Sequence, residues 1–106
     1  MPRPRVRGAG KGELRLYVTG STLLSLRAIE NLEWSLQQEL GELYDYEVID
    51  VLEHPELAAE DGIFATPALV RRQPLPVRKL IGDLSDRELV LRSLRFGGSP
   101  REGQTR

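Results

Sequence analysis

The chain has 106 residues, 40% of them hydrophobic, with 15 Lys and Arg against 16 Asp and Glu and no cysteine. That length holds a single domain with a small core, and the lack of thiols excludes disulfides, thiolate nucleophiles, iron–sulfur clusters and cysteine-based zinc sites. A net charge of -1 supplies no global field for nucleic acid or acidic membranes, and no apolar run approaches the roughly 20 residues of a membrane span.

Residues 1–12 combine three glycines, two prolines, Arg3, Arg5, Arg7 and Lys11 with almost nothing to bury, and they read as a disordered basic arm. No apolar segment follows that would make the start a secretory signal, so a cytoplasmic location is expected. Residues 13–96 form the expected domain. Residues 97–106, opening with Gly97-Gly98-Ser99-Pro100, read as a disordered tail.

Glu13 to Thr19 alternates Leu14, Leu16 and Val18 with Arg15, Tyr17 and Thr19, the period of a strand. From Leu23 to Leu40 the apolar positions Leu26, Ile29, Leu32, Leu36 and Leu40 predict a helix, with Ser21 or Thr22 as N-cap and Gly41 just past its end. Tyr44 to Val51 reads as a strand, and the adjacent Val48 and Ile49 predict burial on both faces, as in a central parallel strand. A connecting helix of this length predicts a right-handed crossover and a parallel pair.

Glu53-His54-Pro55 opens a short helix with Pro55 at its first position and Gly62 as its stop. Ile63 to Val70 is predicted as a strand around Thr66-Pro67, Gln73-Pro74-Leu75-Pro76 as a turn and Val77 to Ile81 as the return strand of a hairpin. Ser85 and Glu88 have capping-box spacing, Leu84 and Leu89 that of a hydrophobic staple, and a last helix is expected from Asp86 to about Arg95.

The order β-α-β-α-β-β-α, with a proline at the third strand, is the α/β thioredoxin-like arrangement. Where a redox member carries Cys-x-x-Cys this chain has Gly20-Ser21-Thr22-Leu23-Leu24-Ser25, so thiol–disulfide exchange is excluded and a scaffold for contact remains. The single histidine, His54, cannot build a multi-histidine metal site and reads as a helix-leading residue rather than a ligand. Glu60 and Asp61 point about 100° apart on a helix and so do not make an acid/base pair. Arg71-Arg72, Arg78-Lys79, Arg87, Arg92 and Arg95 make the C-terminal half locally basic, which reads as a solvated face; without interleaved aromatics no nucleic-acid partner is expected. Trp34 lies off the apolar stripe, and two readings stand for it: an exposed interface anchor, or a cover for the sheet edge.

Several stretches at fixed spacing resemble the KaiB family of clock components: Leu16-Tyr17-Val18 with Gly20, Ser25 and Arg27-Ala28, then Val48 to Leu52, His54 to Ala58, Glu60-Asp61, Ala65-Thr66-Pro67, Pro74 to Arg78 and Ile81 to Glu88. The resemblance covers about residues 14–91. It implies two packings of one sequence, a rearranged ground state, tetrameric or dimeric, and a monomeric thioredoxin-like state. It further implies a non-enzymatic binding protein without cofactor or metal, which in the second state grips the N-terminal ATPase ring of KaiC, regulates its phosphorylation cycle and captures KaiA, in competition with a clock-output histidine kinase.

Carried over residue by residue, the KaiC contact falls on Arg27, His54, Pro55, Glu56, Gly62, Ile63, Phe64, Ala65 and Thr66, and the KaiA contact on Tyr46 and Glu47. Two packings coexist when they differ by only a few kcal/mol. Slow X-Pro isomerisation at Pro67, Pro74 and Pro76 is expected to delay exchange between them by tens of seconds or more. Ser93 and Arg95 stand where relatives usually carry Gly and Asp, and both changes favour the last helix, so the thioredoxin-like state is expected at rest. Glu47 in place of a common lysine and the missing acidic tail weaken the implied KaiA role. The alternatives are a stress-response adaptor of a KaiC homologue with no daily rhythm, and a cysteine-free glutathione-binding enzyme in which Ser21 or Thr22 activates a bound thiol.

Overall fold

The computed structural model of the protein describes residues 11–95, so the expected arm and tail lie almost wholly outside the described residues. Lys11 and Gly12 are the exception, since Gly12 already opens a strand. A Cβ there would meet the Tyr44 ring at 2.5 Å and the Gln73 carbonyl at 2.6 Å, so only glycine fits between its neighbours.

Alternation builds β1 (Gly12–Val18), which sends Leu14, Leu16 and Val18 to one face of the sheet and Tyr17 to the other. α1 (Leu23–Ser35) follows, capped by the Thr22 side chain, which accepts from the Ser25 N–H. Then come β2 (Tyr44–Asp50), α2 (Pro55–Glu60), β3 (Ala68–Gln73), β4 (Arg78–Ile81) and α3 (Arg87–Leu94). The strands lie in the order β2-β1-β3-β4, with β1 and β2 parallel and the other pairs antiparallel. This is the expected thioredoxin-like arrangement.

Each sheet face has its own core. On one, Leu14, Leu16, Val18 and Leu69 meet Ala28, Leu32 and Leu36 from the first helical region and Val90 and Leu94 of α3. On the other, Tyr17, Ile49 and Val70 meet Ala58 of α2, with Val51, Leu57 and Ile63 packed around them.

Several expectations need correction. The first helix stays α-helical only to Ser35 and then continues as a π-helical segment from Leu36 to Leu40. The Ser35 hydroxyl donates to the Asn31 carbonyl at 3.0 Å, a back-bond that loosens the helix just where the π form begins. Gly41 does not take the left-handed conformation of a C-cap; its φ is -63°. Of the expected stripe, Leu32, Leu36 and Leu40 are buried and Ile29 packs against the core, but Leu26 is 51% exposed and Ser25, Ala28 and Ser35 are buried instead. Small residues bring the start of α1 close to the sheet and turn Leu26 outward.

β2 is an edge strand, not a central one: Ile49 is buried and Val48 faces out. β3 starts at Ala68, not Ile63, because Pro67 has no N–H for a ladder and residues 63–67 cross the end of the sheet as a loop. At α3 the cap is Asp86, whose side chain accepts from Leu89 N–H at 3.2 Å. The Ser85–Glu88 box and the Leu84–Leu89 staple therefore do not form. Leu84 adopts φ 65° and joins the core with Val90, one position out of the expected register.

Candidate functional site

The C-terminal ends of β1 and β2, the start of α1 and the loop before β3 converge at one end of the sheet. Gly20, at φ 55°, turns the chain out of β1, a conformation that suits a residue without Cβ. The Asp50 carboxylate accepts from Gly20 N–H at 3.2 Å and Leu52 N–H at 2.9 Å, tying the two strand ends together. Buried Ser25 accepts from Thr19 N–H at 3.1 Å and from the Thr22 hydroxyl at 2.9 Å. The Thr19 and Thr66 hydroxyls are hydrogen-bonded to each other, which closes β1 onto the loop before Pro67. Gly82 N–H donates to the Pro67 carbonyl at 2.8 Å, and the Thr66-Pro67 peptide is cis.

The hydroxyls of Thr19, Thr22, Ser25 and Thr66 bond to backbone and to one another, which stitches this end together. Around it the surface is apolar: Phe64 is 98% exposed, Leu52 69% and Leu23 63%, with Leu24 also outside. Large side chains held out of water's reach by nothing in the fold itself are the kind of surface that a partner covers.

The α2 face carries a second polar feature. Tyr17, fully buried, donates at 2.6 Å to the Asp61 carboxylate, with the Leu57 carbonyl 3.0 Å away. Arg15 donates to the same Asp61 oxygen at 3.0 Å and to the Tyr17 hydroxyl at 3.2 Å, while its Nε lies 3.5 Å from Glu47. Arg72 approaches the other Asp61 oxygen at 3.6 Å. Burial, helped by the hydrogen bond to Asp61, pushes the Tyr17 hydroxyl up to about 12. The C-terminal end of α2 is thus fastened to β1. Spacing alone puts Arg15 and Tyr17 on one strand face; that Asp61 meets them is long-range information.

The residues expected to meet KaiC divide into groups. His54 is the N-cap residue of α2, with Nδ1 3.4 Å from Glu56; Pro55 holds the first helical position. Gly62, at φ 68°, ends the helix, and Ile63 N–H returns to the Ala58 carbonyl at 2.9 Å, which leaves Phe64 and Ala65 exposed ahead of Thr66. His54 through Thr66 is therefore one continuous stretch along the α2 side. Arg27 is not on it: α1 packs on the opposite sheet face, and Arg27 lies near Asp83. Hydrogen bonds from Ser85, with a smaller pull from Arg27, hold the Asp83 carboxyl below its ordinary range.

Tyr46 and Glu47 point to opposite faces of β2. Tyr46 donates to Glu33 at 3.2 Å, and Glu47 pairs with Arg15. A groove of about 330 Å³ beside that edge is lined by Glu33, Leu36, Gln37, Gly41, Tyr44 and Tyr46. Pro74 and Pro76 make the hairpin turn, both in cis, and Pro67 is buried. Ser93 lies in the last turn of α3 with Arg95 just beyond. Sequence reasoning missed Leu23, Leu24 and Leu52 at the apolar end, since apolar residues beside turns give no sign of which side they face. It also placed Arg71 on a solvated face, whereas Arg71 is buried. Trp34 is half-buried, with the Arg87 guanidinium 4.2 Å above its ring.

No helix among the described residues is long and apolar enough to cross a membrane, and no cluster of three or more metal-ligating side chains occurs among them. The fold and its stitched, thiol-free end define a cysteine-free thioredoxin-like domain with an apolar rim. The KaiB domain model matches residues 15–96, and the chain belongs to the KaiB family. It is 56% identical over 78 residues to the circadian clock oscillator protein KaiB of Gloeothece citriformis, covering 74% of each chain. To the KaiB of Synechococcus elongatus it is 55% identical over 78 residues, covering 74% of this chain and 76% of the relative. Among solved structures, the N-terminal domain of Synechococcus elongatus SasA superposes with a TM-score of 0.67 at 24% identity over 84% of each chain. Mitochondrial thioredoxin 3 of Saccharomyces cerevisiae gives 0.67 at 16% identity over 81% of this chain and 78% of its own. Both likenesses show the fold.

Proposed function

We propose that the protein is a non-enzymatic clock component that docks the end of its sheet, from His54 through Thr66, onto the N-terminal ATPase ring of a KaiC-like partner and so regulates its phosphorylation cycle. The observation that carries this reading is Phe64, 98% exposed in a loop whose two ends are held by the Ile63–Ala58 and Thr19–Thr66 hydrogen bonds. An exposed aromatic in a tethered loop, at a sheet end that also exposes Leu23, Leu24 and Leu52, has the make-up of an interface anchor. The monomer in its thioredoxin-like state is the binding form, and a clock-output histidine kinase with a domain of the same fold competes for the ring.

Binding of the chain to a purified KaiC hexamer, with and without ATP, tests the proposal. Phe64→Ala is expected to weaken binding at least tenfold, while Leu75→Ala, at a large apolar residue 71% exposed on the hairpin turn, leaves it unchanged. No binding by the wild-type chain at high micromolar concentration, or equal effects of the two substitutions, overturns it.

KaiA capture along β2 is the finer part of the same proposal, with Tyr46 and Glu47 at the contact. The pairing of Glu47 with Arg15 favours the second reading, an adaptor of a KaiC homologue acting without KaiA. Adding KaiA to the preformed complex separates the two, because only the first predicts a ternary species. The glutathione-binding alternative has less support: the Thr22 hydroxyl is committed to capping α1 and to Ser25.

A further inference from the structure

Phe64 stands just past the end of α2, so whatever holds that end decides where the ring is presented. α2 is six residues long, too short to hold itself together, and it buries Ala58, with Leu57 packed beside it. Its start is tied by the His54 N–H, which donates to the Asp50 carbonyl at 3.0 Å. Its end is tied through Asp61, the C-cap residue, whose side chain is 10% exposed. One Asp61 oxygen accepts from Tyr17 at 2.6 Å and from Arg15 at 3.0 Å, both on β1, and the other faces Arg72 of β3 at 3.6 Å. β1 and β3 are the central strands of the sheet. Directly beyond Asp61 the chain turns at Gly62, returns the Ile63 N–H to the Ala58 carbonyl and releases Phe64 into solvent.

Sinking a carboxylate among two guanidinium groups and a phenol gains little net stability, because desolvation of the charges offsets their attraction. What it supplies is geometry. Donors from two central strands converge on one side chain, and short charge-assisted hydrogen bonds fix the end of α2 against them. The remaining ties of this segment are longer or lie further along the chain: Lys79 Nζ is 3.5 Å from the Gly62 carbonyl at the surface, and the Thr19–Thr66 bond closes the far end of the loop. A contact residue whose support is already fixed loses less freedom on docking than one carried by a loose segment.

We infer that Asp61, gripped by Tyr17 and Arg15, is a positioning residue of the partner contact: it presets the exit of α2, and with it Phe64, while the carboxylate itself stays beneath the surface. The inference rests on the proposed docking through Phe64 and adds that affinity is set in part from behind the contact, by side chains the partner does not touch. Asp61→Ala is a mild way to remove the grip, because each donor keeps another partner. The Tyr17 hydroxyl has the Leu57 carbonyl at 3.0 Å, Arg15 has Glu47 at 3.5 Å, and Arg72 is 30% exposed to water.

Binding to a purified KaiC hexamer, measured for the wild type, Asp61→Ala, Phe64→Ala and the double variant, tests it. Asp61→Ala is expected to weaken binding about fivefold or more in the wild-type background and less than about twofold in the Phe64→Ala background, since a ring that is gone cannot be misplaced. Tyr17→Phe is expected to repeat the pattern on a smaller scale. In the free chain, amide relaxation by NMR is expected to give Phe64 an order parameter of about 0.8 in the wild type and below about 0.6 in Asp61→Ala, with the β1 amides unchanged. Equal weakening in both backgrounds marks a general loss of stability and overturns the positioning role. Wild-type affinity in Asp61→Ala, or an unchanged Phe64 order parameter, overturns it as well. Failure of the wild type itself to bind is a different result: it overturns the docking reading, and this inference with it.

Discussion

Tyr17 and Asp61 show how one residue's surroundings set its chemistry. The phenol sits between an apolar face and a carboxylate, so its neutral form is favoured and its titration is pushed to about 12, against about 10 in the unfolded chain. A group whose folded value is raised contributes stability that is intact below the unfolded value and is lost as pH rises through the folded one. Wild type is accordingly expected to lose roughly 1 kcal/mol per pH unit more than Tyr17→Phe between pH 10 and 12, and no more than Tyr17→Phe below pH 9. Urea midpoints measured at pH 8, 10, 11 and 12 check this. Thr22→Ala removes the α1 cap and is expected to cost about 1 kcal/mol in the same assay.

Among the elements, α3 is where the capping register can be tested. Asp86 accepts from Leu89 N–H, whereas the hydroxyl of Ser85 is not the cap. Asp86→Ala is expected to destabilise by about 1 kcal/mol and Ser85→Ala by under half of that; thermal melts of the two variants decide it. The reverse order would move the helix start back one residue. Local patterns named every helix and strand here, but they slipped by a residue at this cap and by five at the start of β3. Ser85 and Asp86 are equally good cap residues, and the choice fell to Leu84, whose burial with Val90 sets the register. At β3 the runs on either side of Pro67 look alike in hydrophobicity, and only pairing with β1 at Ala68 to Gln73 shows where the ladder begins.

At the scale of the whole molecule, two thin cores on opposite sheet faces share the two central strands, β1 and β3. Leu32 and Leu16 are fully buried on one side and Tyr17 on the other, so truncating Leu32 is expected to cost about 2–5 kcal/mol and to lower the single melting transition rather than split it. The chain is expected to rest as a 12.0 kDa monomer with the hairpin formed, in line with the helix-favouring Ser93 and Arg95. Cross-strand NOEs in the Val70–Lys79 register and a light-scattering mass check both points, and their absence with a tetramer mass would place the resting state in the rearranged packing.

What the sequence determined by itself was whatever neighbours along the chain can encode. Alternation in β1 placed Leu14, Leu16 and Val18 together, the missing thiols excluded redox chemistry, and runs such as His54 to Ala58 and Ile81 to Glu88 identified the family. Three-dimensional packing decided the rest: which strand lies at an edge, that Asp61 returns to Arg15 and Tyr17, that Arg71 is buried, and that Phe64 and Leu52 face water. The physical reason is that burial is a property of what lies opposite a side chain, and here the opposing residue is often more than 40 positions away, as Asp61 is from Tyr17 and Leu94 from Tyr44.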